Sequence, residues 1–412
     1  MKKERIGDAC IVGDGAHAKI KRQETGILYL TSKNFKSHGL DLSKVDYISE
    51  EDYNKYFKEN SKALTKPKEG DVVFSIIGSI GQPHLVKRGE KFGLSSSVSI
   101  LRAKKEKINE KYLYYWIKGP IFQQAIYSTK GGVAQSYLSL DMIKSLPIQY
   151  GSISIQEKIV TVLSNYDDLS NNNTKRIELL EKIAKLIYEE WFVKFKFPGH
   201  EKVKFVDSEL GKIPEGWEIK KLGDFVNLKK DKYSDFDKDL PLLDMSRIPR
   251  KSWLIDNYAN SDELKTSRII FDENDILFGS IRPYFHKVVF ANKKGITNTS
   301  VFVLRPNETY FFEYILLHLF DEKTVEWATT NSGGTKMPVI KWDGVFKKKK
   351  VIMPSKEVLI QFSSIINPII SHIKIMSNQN QNLSKTRDLL LPRLITGKVD
   401  VSELDIQIEA EA

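Results

Sequence analysis

The chain holds one cysteine, Cys10, among 412 residues, so no disulfide can form within it and no zinc site can rest on paired thiolates. Its seven histidines are scattered without metal-ligand spacing, and the GxxxxGK[ST], HExxH and GxSxG patterns are absent. Those absences remove the usual nucleotide-phosphate, zinc-protease and serine-hydrolase readings. Asn367-Pro368-Ile369-Ile370 begins like the Asn-Pro-Pro-aromatic motif of amino-methyltransferases but lacks the second proline and the aromatic. The acidic residues form no recognisable nuclease constellation, so no catalytic residue is expected. No stretch reaches the roughly 18 apolar residues of a membrane span, and the first ten residues hold no apolar signal core; a cytoplasmic protein without a membrane partner is expected. Positive charge, by contrast, is plentiful. The 64 Lys and Arg outnumber the 53 Asp and Glu, giving net +11 and a pI of about 9.2, a balance that suits a polyanionic partner.

The length exceeds that of one ordinary domain, about 100 to 200 residues, and the sequence repeats itself. Arg5-Ile6-Gly7-Asp8 is echoed by Lys221-Leu222-Gly223-Asp224, and Gly70-Asp71-Val72-Val73-Phe74-Ser75 by Asn274-Asp275-Ile276-Leu277-Phe278-Gly279. Ser97-Val98-Ser99-Ile100-Leu101-Arg102 matches Ser300-Val301-Phe302-Val303-Leu304-Arg305, and Gly131-Gly132 pairs with Gly333-Gly334. The order and near-constant separation of these matches mark a diverged tandem repeat. Each unit opens with β-rich runs, at 27–30, 72–77 and 98–101 and again at 276–278 and 301–304, with helical segments at 111–126 and 310–320. Each half therefore begins as a mixed α/β domain.

Each unit closes with a long helix. Ile159, Leu163, Tyr166, Ser170, Asn173, Ile177, Leu180, Ala184, Ile187 and Trp191 advance by alternating four and three residues, the spacing of a coiled-coil seam. Leu359, Phe362, Ile366, Ile369, Ile373, Met376, Asn380, Leu383, Arg387, Leu390 and Leu394 follow the same rule. A whole domain separates the two segments, so the chain can return and pair them antiparallel. About 40 residues at about 1.5 Å each make a rod of roughly 60 Å, long enough to hold two heads about one DNA turn, roughly 34 Å, apart. Asn173 and Asn380 either fix the register of such a seam or mark fraying around 170–174. Pro368 predicts that the second helix is kinked there or starts only beyond it.

Candidate DNA contacts lie in the segments that follow the strands. Gly13-Asp14-Gly15-Ala16-His17-Ala18 formally matches a dinucleotide-binding turn, but the charged residues that follow do not continue as an apolar helix. His17, Lys19, Lys21 and Arg22 read instead as a phosphate-facing basic loop, or as an ordinary solvated turn. Lys33 and Asn34 follow the strand at 27–30 and are types that read base edges. Ser79 and His84 follow the next strand, and Lys130, Gln135, Ser136 and Tyr137 belong to a donor-rich loop. The second domain offers Arg247, Arg250 and Lys251, then Arg282, Tyr284 and His286, then Asn331 and Lys336. Each of these types alone is more often surface than contact. The lysines at 347–350 are either a solvated face or a phosphate contact.

Together these features resemble the specificity subunits of type I restriction-modification enzymes, over essentially the whole chain. The similarity is carried in the first domain by Asp14-Gly15-Ala16-His17, by Gly26-Ile27-Leu28-Tyr29-Leu30-Thr31-Ser32-Lys33-Asn34 and by Gly78-Ser79-Ile80-Gly81. In the centre it is carried by Ile155-Gln156-Glu157-Lys158-Ile159, Tyr188-Glu189-Glu190-Trp191-Phe192 and Gly211-Lys212-Ile213-Pro214-Glu215-Gly216-Trp217-Glu218. At the end it is carried by Leu389-Leu390-Leu391-Pro392-Arg393-Leu394-Ile395-Thr396-Gly397. The resemblance implies an α+β fold: two α/β target-recognition domains separated and joined by two long helices forming an antiparallel coiled coil, with a pseudo-twofold internal repeat. The expected segments are a first target-recognition domain at 1–152, a central spacer helix at 153–197, a linker and second target-recognition domain at 198–354, a C-terminal spacer helix at 355–398 and a tail at 399–412. It further implies a non-catalytic subunit that reads a bipartite asymmetric site on double-stranded DNA. Two methyltransferase subunits using S-adenosylmethionine would modify adenine, and restriction/translocase subunits using ATP and Mg would cut; no cofactor or metal is expected in this chain. The rival expectations are a DNA adenine methyltransferase or nuclease with its own activity, and a non-specific scaffold or silent recognition cassette.

Overall fold

In the strand Val72–Ser75 every residue is buried, and successive side chains enter different cores. This is how a short β-branched and aromatic run becomes the middle layer of a sandwich. The computed structural model describes residues 1–36, 39–59, 63–129, 137–231, 239–255, 258–263 and 267–405. It divides into two units, Met1–Asp167 with Ser384–Ala412, and Asp168–Leu383. The division passes through both long helices, so each unit takes a part of each, unlike the five consecutive segments drawn from the sequence.

In the first unit a four-stranded antiparallel sheet runs in the order Cys10–Asp14, Val98–Ala103, Val72–Ser75, Pro83–Leu85. Val72, Phe74 and Leu101 point to a core shared with Tyr112, Trp116, Ile159, Leu163 and Leu394, whereas Val73, Val98 and Ile100 meet Leu30, Phe35, Phe92 and Leu94. The second layer is a three-stranded sheet in which Ile27–Leu30 lies between Asp46–Ile48, antiparallel, and Phe92–Leu94, parallel. The helical run expected at 111–126 is two helices, Glu110–Lys118 and Pro120–Thr129, broken at Gly119 ahead of the proline.

The second unit repeats the design. Its sheet runs Val226–Lys229, Val301–Pro306, Ile276–Gly279, Val288–Phe290, all antiparallel. Ile276, Phe278 and Leu304 face the helices, and Leu277, Val301 and Val303 face Leu243, Ile248 and Phe271. Here the outer layer is a two-stranded pair, Arg268–Phe271 with Gly295–Asn298. Arg102 binds Asp71 in the first unit and Arg305 binds Asp275 in the second, each aspartate being only 1% exposed. In both places that carboxylate also accepts a backbone N–H from three residues before it, Lys68 at 2.9 Å and Asp272 at 2.7 Å. The turn ahead of each aspartate needs positive φ, supplied by Gly70 at 83° and Asn274 at 68°.

Each unit closes its α/β part by pairing an early strand with a late one: Lys2–Arg5 with Pro147–Tyr150, and Glu218–Lys221 with Lys350–Met353. A long helix follows, Ile153–Tyr188 or Lys356–Ile395, preceded in both cases by a serine, Ser152 or Ser355, that caps the first turn. The central helix ends in a π turn, Glu189–Val193, and Gly397, at φ 73°, stops the other. The second helix begins ahead of Pro368, which removes one of the two expected alternatives, a start only beyond the proline. Pro368 and Ser364, whose carbonyl loses its partner there, are both exposed, so the lost bond lies on the solvent side.

The helices run side by side in opposite directions. In the second unit Asn173 faces Asn380 and Trp191 faces Phe362; in the first, Asp167 meets Arg387 at 2.5 Å. Among the expected seam residues, Ile159, Leu163, Ile177, Trp191, Phe362, Ile366, Ile373 and Leu394 are buried, and Tyr166, Leu180, Ile187, Ile369, Leu383 and Leu390 half-buried. The buried stripe is wider than a two-per-heptad seam, taking in Val160, Glu181, Tyr188, Ile370, Ser377, Gln381 and Leu391. The reason is that each helix also packs on an α/β body. One helix, Lys356–Ile395, contains an 18-residue window of mean hydropathy 1.3, long and apolar enough by composition to cross a membrane. Its Phe362, Ile366, Ile370 and Ile373 are spent on the core.

Candidate nucleic-acid interface

Chain turns gather at one end of the four-stranded sheet of each unit. In the first, Ser97 is the node: its Oγ accepts from Ser32 N–H at 2.9 Å, its carbonyl accepts from Ile76 N–H at 2.9 Å, and Ser95 Oγ lies 2.6 Å from Ser97 Oγ. Ile77 bridges Tyr137, and Ala16 bridges Ser95. These bonds bring together Ala16, Ser32, Ile77 and Tyr137, which lie in or beside the four stretches chosen from sequence, 13–18, 31–34, 78–84 and 130–137. Gly78 and Gly81, at φ 76° and 87°, make the tight turn that exposes Ser79, and Ser75 Oγ donates to the Ser79 carbonyl within it. Lys19, Lys21, Lys33, Ser79 and Tyr137 are exposed, as is the apolar Ile77.

Several candidates of this unit have internal employment. Asn34 is 4% exposed; its Nδ2 donates to the carbonyls of Asp41 and Lys44, and its Oδ1 accepts from Thr31 N–H. It is thus a staple of its own loop, not a presented base reader. Arg22 lays its guanidinium 3.8 Å from the Tyr29 ring centre and binds Asp46 and the Ile20 carbonyl. His17 is exposed but bonded to Asp14, and half-buried His84 lies on a strand bonded to Glu90. Gly13 and Gly15 serve close packing: a Cβ on either would come within 2.2 Å of a backbone carbonyl, that of Leu64 or of Leu94. Lys130, Gln135 and Ser136 lie outside the described residues.

The second unit repeats the node. Ser300 O accepts from both the N–H and the Oγ of Ser280, Ser280 O accepts from Ile340 N–H, and Ile281 bridges Val339. Ser300, Ile281 and Val339 thus occupy the places of Ser97, Ile77 and Tyr137. The turn Pro283–Phe285 is flanked by Arg282 and His286, both left-handed at φ 49° and 51°, and Lys251, at 54°, donates its N–H to the His286 carbonyl. Left-handed backbone at three non-glycine residues costs roughly 1–3 kcal/mol each, and such strain collects at ligand-binding sites. Arg282 is held by the carbonyls of Pro338 and Lys336, and Arg250 stacks 4.1 Å from the Phe285 ring centre. Arg250, Lys251, Tyr284, Lys336 and Met337 are exposed.

Here, too, some expectations need correction. His286 is 4% exposed, its imidazole pushed below the usual 6.5 by burial, and Nε2 donates to the Phe320 carbonyl, so it anchors the turn from beneath. Arg247 is spent on Asp244 and Glu263, and Asn331 donates to the Trp327 carbonyl at a helix end. The nodes Ser97 and Ser300 and the exposed Ile77 and Met337 were not singled out from sequence. The repeat already aligns the two serines just ahead of the matched strands, and that shared place is the signal that marks them.

What remains on each surface is a set of ammonium and guanidinium groups beside exposed aromatic or apolar side chains. Cations of this kind pair with phosphates, and flat apolar groups lie against bases. The family described as type I restriction modification DNA specificity domain matches residues 18–182 and 214–385. The type I restriction enzyme MjaIX specificity subunit of Methanocaldococcus jannaschii is 31% identical over 323 residues, 73% of this chain and 71% of that protein. The MjaVIII specificity subunit of the same organism is 24% identical over 382 residues, 87% and 86% of the two chains. The crystal structure of the type I restriction-modification system S subunit from M. genitalium shares the fold, with a TM-score of 0.55 at 16% identity over 95% of each chain. A duplicated sheet with a duplicated loop node, matched by the family in both halves, leads to one conclusion: the chain belongs to the type I restriction-modification DNA specificity family.

Proposed function

We propose that each unit reads one half of an interrupted, asymmetric DNA sequence and that the chain directs partner subunits to it. The observation that carries this reading is the repeated node with unlike side chains, Ile77, Ser79 and Tyr137 in one unit and Arg282, Tyr284 and Met337 in the other. Two related surfaces that present different groups select two different half-sites. The paired helices would set the unread gap between them. The outward stripe Leu179, Ile183 and Leu186 on the central helix, exposed at helical spacing, would receive a methyltransferase subunit. The chemistry then belongs to the partners: S-adenosylmethionine in two methyltransferase subunits acting on adenine, ATP and Mg in restriction/translocase subunits, all in the cytoplasm.

Mapping methylated adenines in a host with and without this gene tests the reading. Loss of one bipartite motif is expected, and replacing residues 1–152 with those of a relative should change only one half of it. An unchanged methylation map, or purified chain that methylates DNA unaided, would overturn it.

A further inference from the structure

Four hydrogen bonds from three buried polar side chains tie the paired helices of the second unit to one extended segment. Glu181 on the central helix, 4% exposed, accepts from Trp253 N–H at 2.5 Å and from Ser252 Oγ at 2.9 Å. Two residues further along the segment, the Ile255 carbonyl accepts from Ser377 Oγ at 3.2 Å and Gln381 Nε2 at 3.0 Å, both on the C-terminal helix. The Trp253 ring is wedged against Phe290 and Phe320. Immediately before this segment stand Arg250, stacked on Phe285, and Lys251, whose N–H holds the His286 carbonyl. His286 in turn is bonded to Phe320. A continuous chain of bonds therefore runs from both helices to the strained turn that carries Arg282 and Tyr284.

The first unit has no matching tether among the described residues. There the helix polar groups reach a different place: Gln156 binds the Lys107 carbonyl and Asn109 N–H, and Asp167 binds Tyr115 and Arg387. The loop node around Ser97 receives none of these bonds.

We infer that Glu181, Ser377 and Gln381 are positioning residues for base discrimination by the second unit, holding its reading turn in register with the paired helices. The inference rests on the function proposed above. Glu181 lies on the buried face of the same helical turn whose outer face carries the exposed Leu179 and Ile183, so a subunit seated on that stripe would act on the tether through this turn and bear on one half-site only.

The test is a selection from random duplexes by chain assembled with methyltransferase subunits, comparing wild type with Glu181→Ala, Glu181→Gln and the pair Ser377→Ala with Gln381→Leu. Glu181→Ala and the Ser377/Gln381 pair should each lower discrimination about tenfold or more, about 1.4 kcal/mol, in the half-site read by the second unit. The other half-site and the gap should be unchanged, and Glu181→Gln, which keeps an acceptor for Trp253 N–H, should restore most of the loss. Equal weakening of both half-sites, or an intact second half-site in the Ser377/Gln381 variant, would overturn the inference. If wild type itself selected no split motif, the proposed function would fail instead, a result distinct from these.

Discussion

Asn173 and Asn380 offer the sharpest test of the helix pair. Asn173 Nδ2 donates to Asn380 Oδ1 at 3.0 Å, and Asn380 Nδ2 donates to the Ser170 carbonyl and Thr174 Oγ1, both at 3.2 Å. The two side chains are 3% and 7% exposed, so water cannot replace a lost partner. Replacing Asn380 by leucine removes these bonds and leaves the Asn173 amide with only Gln379 at 3.4 Å; an unsatisfied buried amide costs about 1–3 kcal/mol. Asn173→Leu costs a similar amount by stranding Asn380 Oδ1. Changing both to leucine removes the stranded groups and joins two apolar side chains to the seam, so the double variant should be at least as stable as wild type. The cycle should therefore show a coupling of about 2 kcal/mol or more. Native-state hydrogen exchange of the helix amides around 174–184 and 370–380 is the suitable measurement, because two units need not unfold in one step. Additive losses would refute the reasoning. The double variant should also lose its fixed register, as seams without a polar pair do, and so broaden the gap tolerated in DNA.

Other outcomes follow from buried charge and packing. Arg102→Met strands Asp71 and Arg305→Met strands Asp275, and each should destabilise its own unit by about 3 kcal/mol, seen as lost exchange protection in that unit's four-stranded sheet. His318 is half-buried among Tyr188, Thr324 and Lys349, and desolvation together with the Lys349 charge holds its imidazole well below 6.5. The unfolded chain alone binds that proton, so stability should fall as pH drops below 6.5, by up to about 1.4 kcal/mol per pH unit for this group; melting of a His318→Gln variant should lose its share of that dependence and keep the part that His286 supplies. Lys349, pushed down to about 8 by burial, acts on the alkaline side: stability should rise between pH 8 and 10.5 as the folded state sheds a proton the unfolded chain retains. Trp191→Ala should cost about 3–5 kcal/mol, and Leu390→Ala, only half-buried, markedly less by the same melting measurement. Tyr284→Ala with Met337→Ser should weaken DNA binding by the assembled complex while leaving the melting temperature unchanged.

The repeat and the helices were legible because their signals are local and periodic. Ile177, Phe362 and Ile373 recur at heptad spacing, and burial follows spacing directly. The width of the buried stripe was not legible, since Val160 and Leu391 are buried by an α/β body that periodicity does not describe. The loops were legible as places but not as chemistry. Asn34 looks like a reader until the carbonyls of residues 41 and 44 claim its amide, and His286 until Phe320 does. The glycines at 13 and 15 likewise follow from Leu64 and Leu94, far along the chain. Such commitments depend on which distant segments meet, and no short window records that. Pro368 is the opposite case: a strong local rule allowed a kink or a late start, and the late start is removed because the lost bond falls on the solvent side.

The second unit is one unbroken stretch, Asp168–Leu383, whereas the first is closed by Ser384–Ala412. On a ribosome, therefore, the part begun first is finished last: Leu391, Leu394 and Ile395 must emerge before the core around Trp116 and Leu163 is whole. An early stop after residue 383 would spare the later-made lobe and leave the earlier one open, and a crossover between related genes near codons 168 and 383 would transplant a self-sufficient body.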